Sequence, residues 1–183
     1  MKIGPLTESW NEGERDWSFV KDPTKSIEMW ESKQGARIPD DYRSFLLKYN
    51  GGYVYPRMFH LGVPEDIVHP AMQLTLVDAL YDWTTVESHF NQNTFGSAQP
   101  RGYLDIGDTP GGVEVLIGLA GEARGKVFAW PQKHAEWGSE ENREVYLVAA
   151  SFNVFLDMLF DDEDQSDFEE WDIFDELAKD LER

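Results

Sequence analysis

Hydrophobic positions along the chain fall into blocks of two different periods. Asp22-Pro23 reads as a helix start, because Asp caps free N–H groups and Pro carries a helical φ into the first turn. The helix is expected to carry Ile27, Trp30 and Glu31 and to stop near Gly35. A second helix is predicted from Pro39, with Tyr42, Phe45, Leu46 and Tyr49 at i, i+3, i+4 and i+7. Asp40 and Asp41 suit its first turn, where the helix dipole favours negative charge, and Asn50-Gly51-Gly52 should end it in left-handed backbone.

After Tyr53 the period shortens to that of a strand. Tyr53-Val54-Tyr55 and Met58-Phe59-His60-Leu61 are aromatic and β-branched, with Pro56 and Pro64 as breaks. Residues 70–80 are mixed. Tyr81, Trp83, Val86 and Phe90 fit a helix over 81–90, and residues 91–102 form a loop. Strands are predicted over 104–106, 113–119 and 126–130. Short Gly-containing turns link them, so they should pair antiparallel. A polar loop then leads to a strand over 145–148, and Ser151 is a candidate N-cap for a helix carrying Phe152, Phe155, Leu156 and Leu159. Trp10, Trp17 and Phe19 sit among polar residues and join no clear element. Helices at both ends of a run of strands predict an α+β fold, a mainly antiparallel mixed sheet flanked by N-terminal and C-terminal helices.

The last stretch differs in kind. Residues 161–183 hold twelve acidic and two basic residues, net −10, while Phe168, Trp171, Phe174, Leu177 and Leu181 keep roughly helical spacing. This divides the chain into a domain over 1–160 and, over 161–183, an acidic linker with an amphipathic helix whose stripe packs on its own domain or on a partner.

Composition narrows the function. The 183 residues carry a formal charge of −19, from 35 acidic and 16 basic side chains. Such a surface repels nucleic-acid phosphate and anionic membranes and attracts basic proteins, although acidity also serves solubility alone. There is no cysteine, the N-terminus has no apolar signal core, and no run of 18 apolar residues occurs, so a cytoplasmic setting is expected.

The motif search finds no reaction chemistry. His60, His69, His89 and His134 share no metal-ligand spacing. Asp162-x-Asp164-x-Ser166 begins like a calcium loop, but Asp167 replaces the required Gly and Ile173 the required Glu. Gly125-Lys126 lacks a phosphate loop's first Gly, with Ala120 there, and its Ser/Thr, with Val127 there. No nucleophile elbow is present. No cofactor, metal or enzymatic activity is expected.

Several segments carry a resemblance. Ile27-Glu28-Met29-Trp30-Glu31, Gly35, and Ile38-Pro39-Asp40-Asp41-Tyr42-Arg43-Ser44-Phe45-Leu46 ending in Asn50-Gly51-Gly52 resemble the opening signature of the SUKH superfamily, more narrowly its SUKH-1 branch, named for yeast regulators of cell-wall assembly. The Gly-turn strands over 107–119, Gly125-Lys126-Val127-Phe128-Ala129-Trp130 and the closing Ser151-Phe152-Asn153-Val154-Phe155-Leu156 are similar to later parts of the pattern. The resemblance covers roughly residues 20–160. It departs at Asp108-Thr109-Pro110, and the acidic tail lies beyond it.

The resemblance implies a mostly antiparallel sheet with helices against it. It also implies an immunity protein that binds and neutralises a cognate toxin domain, or a regulatory interaction module docking through the helix at 168–181; it carries no catalytic residues. A basic nuclease toxin would suit the charge. Candidate partner contacts are aromatic and acidic residues expected exposed on turns: Asp105, Asp108, Glu114, Glu136, Trp137 and Trp83.

Overall fold

The computed structural model describes residues 1–4, 21–92, 100–131 and 144–161. Helix α1 spans Thr24–Gln34 and ends at Gly35 in left-handed backbone. Helix α2 spans Asp40–Tyr49, with Asn50 left-handed at its C-cap and its N–H bonded to Leu46 O. The apolar stripe of α2 does what its spacing requires: Tyr42, Phe45 and Leu46 are buried. Glu31 ties the two helices, since its Oε1 accepts the N–H of Ile38 at 3.0 Å and lies 3.6 Å from Arg43 Nε.

Strand β1 (Lys2–Gly4) pairs antiparallel with β2 (Tyr53–Tyr55), and β3 (Met58–His60) with β4 (Leu74–Leu76). The main sheet has five strands in the order β5 (Ala79–Leu80), β6 (Tyr103–Thr109), β7 (Val113–Gly118), β8 (Val127–Pro131) and β9 (Tyr146–Ala149), every neighbour antiparallel. Helix α3 (Trp83–Gln92) follows β5, and α4 (Phe152–Asp157) follows β9, capped by Ser151 Oγ accepting the N–H of Val154. The fold is α+β.

One face of the sheet, with Ile106, Val113, Val115, Ile117, Val127 and Ala129, joins the main core built with α1 to α4. Phe152 closes that core from α4, its ring 4.9 Å from Tyr42 and 5.1 Å from Phe45. The chain crosses itself tightly at Asn50-Gly51-Gly52. Asn50 Oδ1 accepts the N–H of Trp83 and its Nδ2 donates to Lys21 O, both at 2.9 Å. Gly51 has φ 87°, and a Cβ there would lie 2.6 Å from Asp82 N, so only glycine lets the strands approach.

Three expectations change. Helix α3 begins at Trp83, two residues after the predicted start, because Asp82 Oδ1 caps it through the N–H of Thr85 at 2.8 Å. The mixed segment 70–80 resolves into a 3-10 turn and two short strands. Strand β1 had no signal in three residues. Trp10, Trp17, Phe19 and the tail helix over 168–181 lie outside the described residues.

Candidate functional site

The opposite face of the five-stranded sheet is where acidic side chains meet. Strand β6 carries a bulge: Asp105 pairs with Leu116 and Gly107 with Val115, leaving Ile106 without a partner. An extra residue resets the alternation of the strand. Leu104 and Ile106 therefore point to the main core, while Asp105 and Asp108, three positions apart, share the other face. Asp108 stands directly across from Glu114 of β7. Beside them, Leu116, Phe128 and Trp130 form a second apolar cluster, with Tyr103 edge-on to Phe128 at 5.2 Å.

Two further side chains complete the group. Tyr81 leaves β5 with its N–H bonded to Ile106 O at 2.9 Å, and its hydroxyl lies against the carboxyls of Asp108 and Glu114. His89, on the second turn of α3, places Nδ1 2.6 Å from Asp105 Oδ2, and the Tyr81 and His89 rings meet edge to face at 5.2 Å. Asp105 is 1% exposed and Glu114 8%, whereas Asp108, Tyr81 and His89 are half-buried.

Burial of like charges sets the electrostatics. Burial, then the charges of Asp105 and Asp108, push the Glu114 carboxyl up to about 8. Burial also raises Asp105, and the His89 contact partly offsets it. Asp108 is raised by burial and by the neighbouring Asp78. Tyr81 is raised by burial and by Asp105. Among the described residues, no hydrogen-bond donor reaches the buried Asp105 Oδ1 and Glu114 Oε2.

The six predicted contacts separate accordingly. Asp105, Asp108 and Glu114 come together, but Asp105 and Glu114 are buried strand residues, not exposed turn residues, because the bulged strand and its partner hold them between neighbours. Trp83 is also not exposed. At 1% exposure it packs edge-on to Trp30 at 5.5 Å, and its Nε1–H donates to Ser26 Oγ at 3.0 Å, so both its apolar body and its polar edge are satisfied within the core. Glu136 and Trp137 lie outside the described residues. Sequence reasoning missed Tyr81 and His89 as members: one stood in a helical pattern and the other among four unrelated histidines. Among the described residues, no group of three or more His, Asp or Glu side chains is placed to hold a metal ion.

The sheet thus packs the helices on one face and gathers carboxylates beside a second apolar cluster on the other. The profile of the SMI1 / KNR4 family (SUKH-1) matches residues 24–158, well over half of the chain, and the chain belongs to that family. It is similar to the SPbeta prophage-derived uncharacterized protein YokK of Bacillus subtilis (strain 168), with 24% identity over 148 residues, covering 74% of this chain and 73% of that protein. The matched span includes the α1–α2 signature and the closing α4. No helix among the described residues is long and apolar enough to cross a membrane.

Proposed function

We propose that the chain is an immunity protein that binds a cognate toxin domain and neutralises it by occupancy, with no bond-making of its own. The observation that carries this reading is the family match over 24–158, since immunity is the role the superfamily resemblance implies for bacterial members. The charge of −19 supports a basic partner, such as a nuclease domain that must grip phosphate, and speeds its encounter by long-range steering. Asp108 is a proposed contact on the carboxylate face, with Glu136 and Trp137 as further proposed contacts; Trp83 serves the core instead.

The test is co-expression with the C-terminal domain encoded by the adjacent gene. Restored growth and a co-purifying complex are expected. A toxic neighbour that forms no complex at about micromolar concentration removes the reading.

A further inference from the structure

We propose that residues 162–183 fold back on their own domain, where the amphipathic segment 168–181 lies as a helix on the outer face of the β1–β2 ribbon. Docking there is independent of which partner the chain binds.

Where the chain leaves the domain sets the place. Phe160 pairs antiparallel with Met58, each N–H bonded to the other's carbonyl at 3.0 and 3.1 Å, and its ring lies 5.7 Å from that of His60. Running antiparallel to β3, the chain heads toward Pro56 and Tyr55, and the Asp161 carboxylate already accepts the Tyr55 hydroxyl. Residues 162–167 precede the apolar stripe and span at most about 20 Å, so the helix starts within that distance of Asp161.

The face there matches the tail in polarity and in charge. Ile3 and Val54 of the ribbon enter the core, so alternation turns Lys2, Tyr53 and Tyr55 outward. Both tyrosines are half-buried, and the Lys2 ammonium stands 5.8 Å from the centroid of the Tyr55 ring. Lys48, at the end of α2 that leads into β2, and Arg57, just past β2, are exposed. Residues 1–4 and 21–58 hold eight basic and five acidic side chains, net +3, whereas the described residues from 59 to 161 hold three basic and twelve acidic, net −9. The tail from 162 holds eleven acidic and two basic side chains, net −9, beside its stripe of Phe168, Trp171, Phe174, Leu177 and Leu181. A helix this short is marginal alone in water. The tyrosine face takes its aromatic side chains, and the cations around that face offset its crowded like charges. Val154 and Met158 on α4 are also exposed and apolar, but Asp157 lies between them and α4 has no basic side chain, so charge disfavours the tail there.

The chain has no cysteine, so Lys179→Cys in the full-length protein gives one attachment point for a nitroxide spin label. At about 0.05 M salt the amide NMR signals of Lys2, Tyr53 and Tyr55 should be lost, and they should return at about 1 M, where the screening length falls to about 3 Å. They should also return when Lys2→Glu and Arg57→Glu are combined, since both positions are exposed and reversal of their charge leaves the core intact. Trp171→Ser with Phe174→Ser, which breaks the stripe, should restore them as well. Signals that are never lost, that stay lost in either double variant, or that are lost at Val154 and Met158 instead overturn the proposal. Labelled chain mixed with unlabelled, isotope-enriched chain checks for a second copy: loss of the same signals in the enriched chain assigns the face to another molecule's tail and overturns it too.

Discussion

Replacing Glu114 by Gln should make the protein more stable in alkaline solution than the wild type. The acid is 8% exposed, and burial with Asp105 and Asp108 moves its pKa from 4.5 to about 8. Below pH 4.5 both folded and unfolded chains hold the proton. Between 4.5 and about 8 the folded chain keeps a proton that the unfolded chain has released, so stability falls as pH rises. Above about 8 the loss is complete. At about 1.4 kcal/mol per pKa unit, the full span is about 4–5 kcal/mol, a large part of the 5–15 kcal/mol typical of a domain. Glutamine stays neutral and removes that slope. It also relieves Asp105 and Asp108 of a like charge, which steepens the contrast. Asp78, Tyr81 and His89 face the same cluster and are common to both proteins, so the difference between the two pH profiles reads Glu114 together with the relief of Asp105 and Asp108. Urea unfolding followed by tryptophan fluorescence across this pH window measures it. Parallel profiles, or a wild type that gains stability through the window, would refute the reasoning.

Other substitutions probe the frame that presents the cluster. Trp83→Phe keeps most of the buried ring but loses the bond to Ser26, and should cost about 1–2 kcal/mol in a denaturation curve; Trp83→Ala should cost about 3–5 kcal/mol. Gly51→Ala puts a methyl group against the backbone of Leu80 and Asp82 at positive φ, and should lower the melting temperature more than the roughly 1 kcal/mol of an ordinary glycine replacement. Ser151→Ala removes the cap of α4 and should cost about 1 kcal/mol, read most directly as faster hydrogen exchange at Val154.

Much of the frame was legible in the sequence because its signals are local. The i, i+3, i+4, i+7 spacing of α2, the Asn50 cap and the Gly turns around β7 each act within a few residues, and each reappears in the structure. What was not legible depends on pairing between distant segments. Nothing in Lys2-Ile3-Gly4 announces a strand until β2 is there to pair with it. Trp83 in a polar stretch looked like a surface anchor, and only Trp30 and Ser26, more than fifty residues earlier, make it a core residue. The acids on β6 and β7 were noticed as individual charges. Their union with Tyr81 and His89 needed the sheet order, and the turn of Asp108 to the same face needed the bulge.

The unpaired Ile106 gives the length of β6 a meaning that its composition lacks. Pair the same residues straight through, without the bulge, and the downstream half turns over: Asp108 would be driven among the valines and leucines, while Thr109 would swing outward. A carboxylate forced into that company without a partner is among the costlier single errors a domain can suffer. Removing Ile106 should therefore leave Asp108 opposite Glu114, at the cost of one buried isoleucine and of the bulge itself. The three-residue spacing of these two aspartates is in that sense a gauge of the bulge, since acids that far apart share a side only where the alternation slips once.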